Sequence, residues 1–217
     1  MKGLLIKDFN LLKGQKQFFL VALAFAFLFL FLTDQYSFGI AYLIVMIVSF
    51  TVSTIAYDEY DNGNPFLFTL PVSRRGYVME KYLFCLLTAL GGCVLNLALI
   101  VVLRFVKSES GANVEILLLT LGGALIAGIL MMAIVVPLQL KFGSEKRQMA
   151  MIVGFVAFFA MIYCGKSLID ELGLPGFVTG LRNISMELAI ILTVILVIVL
   201  VFISYLVSVR IMEKKEF

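Results

Sequence analysis

Residues 116–140, ILLLTLGGALIAGILMMAIVVPLQL, contain no charged side chain. A helix rises about 1.5 Å per residue, and crossing the roughly 30 Å hydrocarbon core of a bilayer takes about 20 apolar residues, so this run is long enough to span. A helix that is apolar on every face belongs in the interior of a large protein or in a membrane.

Five further runs point the same way: 18–32, 39–56, 82–106, 149 to about 165, and 188–209. Together the six predict an all-α, polytopic membrane protein with six transmembrane helices. The runs at 18–32 and 149–165 are short, so they are expected to draw flanking residues into the interface or to sit where the bilayer thins. Composition supports this reading, because 62% of the residues are hydrophobic and only 14% are charged, too few to cover the surface of a soluble domain of 217 residues. The net charge of +3 is spread along the chain without a basic cluster, which argues against a nucleic-acid partner. Histidine is absent, and Cys85, Cys93 and Cys164 lie in apolar runs without paired spacing, so they read as packing residues and no metal site is expected.

Lysine and arginine positions set the orientation. With both termini in the cytoplasm, thirteen of the 17 basic residues fall inside, leaving only Arg104, Lys107, Lys166 and Arg182 outside. The positive-inside rule therefore predicts a multi-pass plasma-membrane protein with both ends cytoplasmic. The charged start MKGLLIKDFNLLKGQK before the first run has the look of a signal peptide, but TDQYSFG after it offers no small-residue cleavage site, so the run is expected to be retained. No internal repeat is visible, and residues 1–217 read as a single transmembrane domain with three segments that do not span: 1–17, 57–81 and 166–187.

In 1–17, Leu4, Leu5, Phe9, Leu11 and Leu12 alternate with Lys2, Lys7, Asp8, Lys13 and Lys16 at helical spacing, which suits a helix lying in the inner interface with its lysines on anionic headgroups. In 57–81, Gly63 and Pro65 break the second helix, Phe66, Leu67, Phe68 and Leu70 form an apolar patch, and Pro71 with Ser73 marks a new helix start, predicting two short helices joined at a proline. The residues alone support two readings of this loop. Either the apolar patch with Arg74 and Arg75 docks a partner protein, or the arginines only hold topology while the phenylalanines pack under helix ends. In 166–187, Leu168, Leu172 and Phe177 around Gly173, Pro175 and Gly176 are too apolar for a solvated loop and too interrupted for a span, so two short helices packed into the outer leaflet as a lid are expected.

The segment from Glu59 through Gly63 to LPVSRRGYVMEKYL (70–83) resembles the loop between the second and third spans in permeases of the type-2 ABC exporter family, which share a glycine, a leucine-rich stretch, a Pro-Val-Ser-Arg core and a later lysine. PLQLKFGSEKRQMAMI (137–152) is similar to the second inner loop of the small bacterial members, phenol-soluble modulin exporters among them. The chain departs from the pattern at residues 64–68, where Pro65 and phenylalanines replace a polar and aliphatic mix. The resemblance implies an N-terminal interfacial helix, a coupling helix in 57–81 that docks on a separate ABC ATPase subunit, and re-entrant outer helices. It assigns ATPase coupling to Phe66, Phe68, Leu70, Pro71, Ser73, Arg74 and Arg75, and it implies a second permease copy or a paralogue as partner.

The chain has no Gly-rich loop ending in Lys and Ser or Thr, so ATP and Mg are expected in the partner subunit and no cofactor in this one. The spans offer neither a nucleophile with its base nor paired aspartates for intramembrane proteolysis. Ser49, Thr51, Ser53 and Thr54 are expected to bond backbone carbonyls or neighbouring helices, and Gly91, Gly92, Gly122, Gly123 and Gly128 to let helices approach. Asn96 either lines a polar path or bridges two helices. Two functions follow: an ATP-driven exporter permease for hydrophobic or amphipathic peptides, or a secondary transporter or membrane scaffold that needs no ATPase. Secondary carriers normally carry intramembrane carboxylates or broken midplane helices, which favours the first.

Overall fold

The computed structural model describes residues 2–32, 36–60, 63–69, 71–107, 114–143, 146–171 and 186–215. These form the helices α1 (Lys2–Gly14), α2 (Lys16–Leu32), α3 (Tyr36–Glu59), α4 (Gly63–Thr69), α5 (Arg74–Lys107), α6 (Val114–Phe142), α7 (Arg147–Glu171) and α8 (Met186–Lys214). No strand occurs among the described residues.

Four helices are long and apolar enough to cross a membrane: Ser37–Glu59, Arg74–Val102, Ile116–Phe142 and Leu188–Lys214. A fifth is added if α1 and α2, bent by 67° across Gln15, count as one broken span. The apolar part of α7, Gln148–Met161, falls below that length. The six apolar runs thus each lie within one helix, but the described residues give four or five candidate spans rather than six. The two runs read as short are the ones that fall behind, since 14 to 17 residues rise only about 21 to 25 Å.

Helix α3 is the axis of the bundle, packed against α6, α5 and α2. Ile40, Ile44, Val48 and Val52, spaced four apart, are all fully buried. Close approach is made possible at two glycines: a Cβ on Gly128 would lie 2.7 Å from Ile44 Cγ2, and one on Gly92 would lie 3.0 Å from Ile47 Cδ1. Gly91, Gly122 and Gly123 face open space, so the chain's own packing does not use them.

Ser49, Thr51 and Ser53 of α3 are tied to backbone or to a neighbouring helix, as hydrocarbon favours, whereas the buried side chain of Gln139 on α6 has no hydrogen-bond partner among the described residues. Ser49 donates to Val45 O at 2.7 Å and Ser53 to Phe50 O at 2.7 Å. Thr51 lies 2.9 Å from Thr88 on α5. Asn96, fully buried, donates to Gly92 O at 3.1 Å and reaches Ile40 O on α3 at 3.4 Å, linking the two helices.

Pro137 sits inside α6 and has no N–H, which leaves the carbonyl of Ala133, four residues back, without its helical donor. Ser204 on α8 supplies one: its Oγ donates to Ala133 O at 2.5 Å. That spends the Ser204 proton, so the Tyr82 hydroxyl must donate to Ser204 at 2.6 Å, and Ser208 must in turn donate to Tyr82 at 2.8 Å. One proline thus organises a buried chain of hydroxyls across α5, α6 and α8. Ser204→Ala should cost roughly 1 to 2 kcal/mol, since it strands a carbonyl and a phenol in the bundle. In a Pro137→Ala background, where α6 regains the missing N–H, the same change should cost less. Thermal unfolding of the four proteins in detergent checks this; an equal cost in both backgrounds would show that Ser204 does not repair the proline break.

Candidate functional site

The segment 57–81 and its surroundings gather at one end of the bundle, where α3 and α6 end, α5 begins and α8 ends. Gly63 lets the chain fold straight back from α3, because a Cβ there would lie 2.6 Å from Asp58 O. The seven residues of α4 then lie on α3 through Asn64 and Leu67, both buried. Phe68 is half-buried against Tyr77, ring centroids 5.9 Å apart and edge to face. Phe66 projects away and is 71% exposed. Leu70 lies outside the described residues.

Pro71 is exposed, and Ser73 caps the next helix, its Oγ accepting from Gly76 N at 3.0 Å. The loop was expected to hold two short helices. Instead α5 runs without a break from Arg74 to Lys107, so the polar stretch 74–81 is the first two turns of a span.

Lys81 is 1% exposed, and its ammonium is paired with Asp8 of α1 and, at 2.6 Å, with Asp58 of α3. Lys7 closes the cluster, paired with the other oxygen of Asp58 and 3.3 Å from Asp8. Tyr77 donates to Asp58 at 3.0 Å, and the Thr54 hydroxyl lies 3.4 Å from both Asp8 and Lys81. Two buried carboxylates are thus neutralised by the buried Lys81 and by Lys7, whose side chain stays a third exposed. Glu80 is buried beside them, its nearer oxygen 3.9 Å from Lys81 and both oxygens without a hydrogen bond.

A buried ion pair gains little over an apolar contact, but removing one partner leaves a stranded charge that costs about 3 to 5 kcal/mol. The cluster therefore works as a register pin: α1 fits only where Asp8 meets Lys81. Phe9 adds an edge-to-face contact with Phe84 of α5, ring centroids 5.1 Å apart.

The two arginines assigned to partner docking are engaged within the chain. Arg74 donates to the carbonyls of Met212 and Glu213 at 3.1 and 2.7 Å, satisfying groups that the end of α8 leaves open. Arg75 pairs with Glu213 at 2.8 Å in a largely exposed bridge. Lys215 pairs with Glu59 at 2.5 Å and reaches Leu140 O at 3.3 Å. The ends of α3, α5, α6 and α8 are thus cross-tied beside α4.

At the other end α7 continues as helix through Glu171, so residues 166–171, expected to lie in the outer loop, extend this helix. The backbone of Leu168 belongs to α7, and Leu172 and Phe177 lie outside the described residues. Among the described residues no cluster of His, Cys, Asp and Glu could hold a metal ion.

A family model for ABC-2 family transporter proteins matches residues 3–213. The chain belongs to that family. It is a multi-pass membrane permease subunit of an ABC transporter, a kind of subunit that works with an ABC ATPase. No curated protein and no solved structure matches the chain.

Replacing Lys81 with Met should leave Asp8 and Asp58 buried with only Lys7 between them, at a cost of about 3 to 5 kcal/mol. The expected result is a lower unfolding temperature and faster proteolysis within α1, with Lys81→Arg much closer to the parent. Unchanged α1 protection in the Met variant would show that the cluster does not hold α1.

Proposed function

We propose that this permease belongs to an ATP-driven exporter that moves hydrophobic or amphipathic peptides outward by alternating access, as a pair of permeases carrying two ATPase subunits. Six spans, both termini in the cytoplasm and an α1 lying in the inner interface complete this reading, and ATP and Mg bind in the partner. The observation that carries it is α4: a short helix, anchored through Asn64 and Leu67, that turns Phe66 outward next to the cross-tied helix ends. A large aromatic left exposed on a rigid support is the usual form of an interface anchor.

Docking falls to Phe66 and the exposed edge of Pro71, with Phe68 and Ser73 fixing the loop. Arg74 and Arg75 set the position of α8 relative to α5, so force on α4 reaches both helices. Peptide cargo is supported by the apolar, phenylalanine-rich α2 and by the likeness of residues 137–152 to the modulin exporters. Leu168, Leu172 and Phe177 would form the outer lid.

Phe66→Glu should leave the permease inserted and folded, since that ring is exposed, while its ATPase no longer co-purifies or hydrolyses ATP without transport. Losing an anchor of this kind costs about 2 kcal/mol or more of binding. Cells with the parent complex should survive membrane-active peptides that kill cells carrying Phe66→Glu. Full protection by the variant would remove α4 from the coupling role, and protection only against small drugs would remove peptides as the cargo.

A further inference from the structure

Between the ends of α6, α7 and α8 lies a groove of about 760 Å³. Two of its walls repeat one pattern. On α6, Ile134, Leu138 and Lys141 follow at i, i+4 and i+7; on α8, Val207, Ile211 and Lys214 do the same. That spacing keeps each set on one helix face and puts a lysine about 10 Å above the deepest apolar residue. Ala157 and Val153 of α7 form the third wall. Lys215 also lines the groove but is committed to Glu59 and Leu140 O, whereas Lys141 and Lys214 are exposed at the mouth.

We infer that this groove is a binding site for an anionic phospholipid of the leaflet at this end of the bundle. The phosphate lies between Lys141 and Lys214, and an acyl chain descends along Leu138, Ile211, Ile134 and Val207. The depth fits, because one leaflet's hydrocarbon is about 15 Å thick and the apolar walls cover the upper part of it. The charge fits too: basic pockets between membrane helices at the cytoplasmic side take anionic headgroups. A water-soluble subunit does not enter an apolar cleft at that depth, and a second permease copy seated there would bury two lysines, which interface cores avoid.

The site also bears on coupling. α6 and α8 are cross-tied to α3 and α5 through Lys215, Glu59 and Arg74, so a lipid wedged between them holds the same helix ends that α4 adjoins.

The test is native mass spectrometry of the full-length purified chain in mild detergent, titrated with phosphatidylglycerol or phosphatidylcholine. Phosphatidylglycerol should be retained about tenfold or more over phosphatidylcholine, from two lysines near one phosphate. K141Q/K214Q should bring that preference close to one without lowering the unfolding temperature, and Ala157→Leu, which narrows the groove, should lower retention of both lipids. K146Q/R210Q, two exposed basic residues that do not line this groove, serves as a control for surface charge and should change neither. Equal retention of the two lipids by the parent overturns the inference. So does a preference that survives K141Q/K214Q, or one that falls equally in K146Q/R210Q. A changed oligomeric state of K141Q/K214Q with lipid retention intact would make the groove a permease interface and overturn it as well.

Discussion

The ammonium of Lys81, sealed between Asp8 and Asp58, is the constraint on which this end of the molecule depends. It joins α1, which has few other contacts in the bundle, to the packed pair α3 and α5, and the ammonium itself is shut off from water. Burial makes the arrangement selective rather than merely sticky: each charge tolerates its surroundings only while its partners are in place. From that pin the rest follows outward. Asp58 fixes the end of α3, Gly63 turns the chain back beside it, and α4 is laid down with Phe66 facing away.

A second constraint, the cost of an unserved polar group in hydrocarbon, shapes the far side of the same helices. Pro137 opens α6, Ser204 closes the gap from α8, and Tyr82 of α5 is drawn into the chain of hydroxyls. Lys81 and Tyr82 are adjacent in sequence yet face opposite partners, the ion cluster and α8. Helix α5 is therefore held on both sides, about two turns beyond the point where Arg74 and Arg75 grip the end of α8. Phe68 of α4 rests on Tyr77 of α5.

Much of this was legible in the sequence and some of it was not, for definite reasons. Long apolar runs are set by bilayer thickness, so α3, α5, α6 and α8 could be placed from residue type alone, and the shortness of the runs in α2 and α7 was visible too. Membership in the ABC-2 family was likewise signalled by the loop 70–83. What composition hid was the destination of charges. Lys81 and Lys7 counted as cytoplasmic markers, with Lys7 assigned to headgroups, because a lysine near a span end is usually solvated. The contrary signal was spacing: Asp8 falls on the apolar stripe one turn after Leu4, and Asp58 and Lys81 each follow a polar group, Thr54 and Tyr77, by four residues. Arg74 was read as pointing to a partner because the chain's own acceptor, the end of α8, lies 138 residues away in sequence. Nothing local announces such a pairing.

A double-mutant cycle on Asp8 and Lys81 measures whether the buried ion pair pins α1 to α5. Unfolding free energies of the parent, Asp8→Asn, Lys81→Met and the double variant would be compared in one detergent. Strong non-additivity is expected, with the double variant more stable than the summed single losses imply by at least about 1 kcal/mol, because the second change removes a charge the first had stranded. Losses that add to within about 0.5 kcal/mol would contradict the pinning of α1.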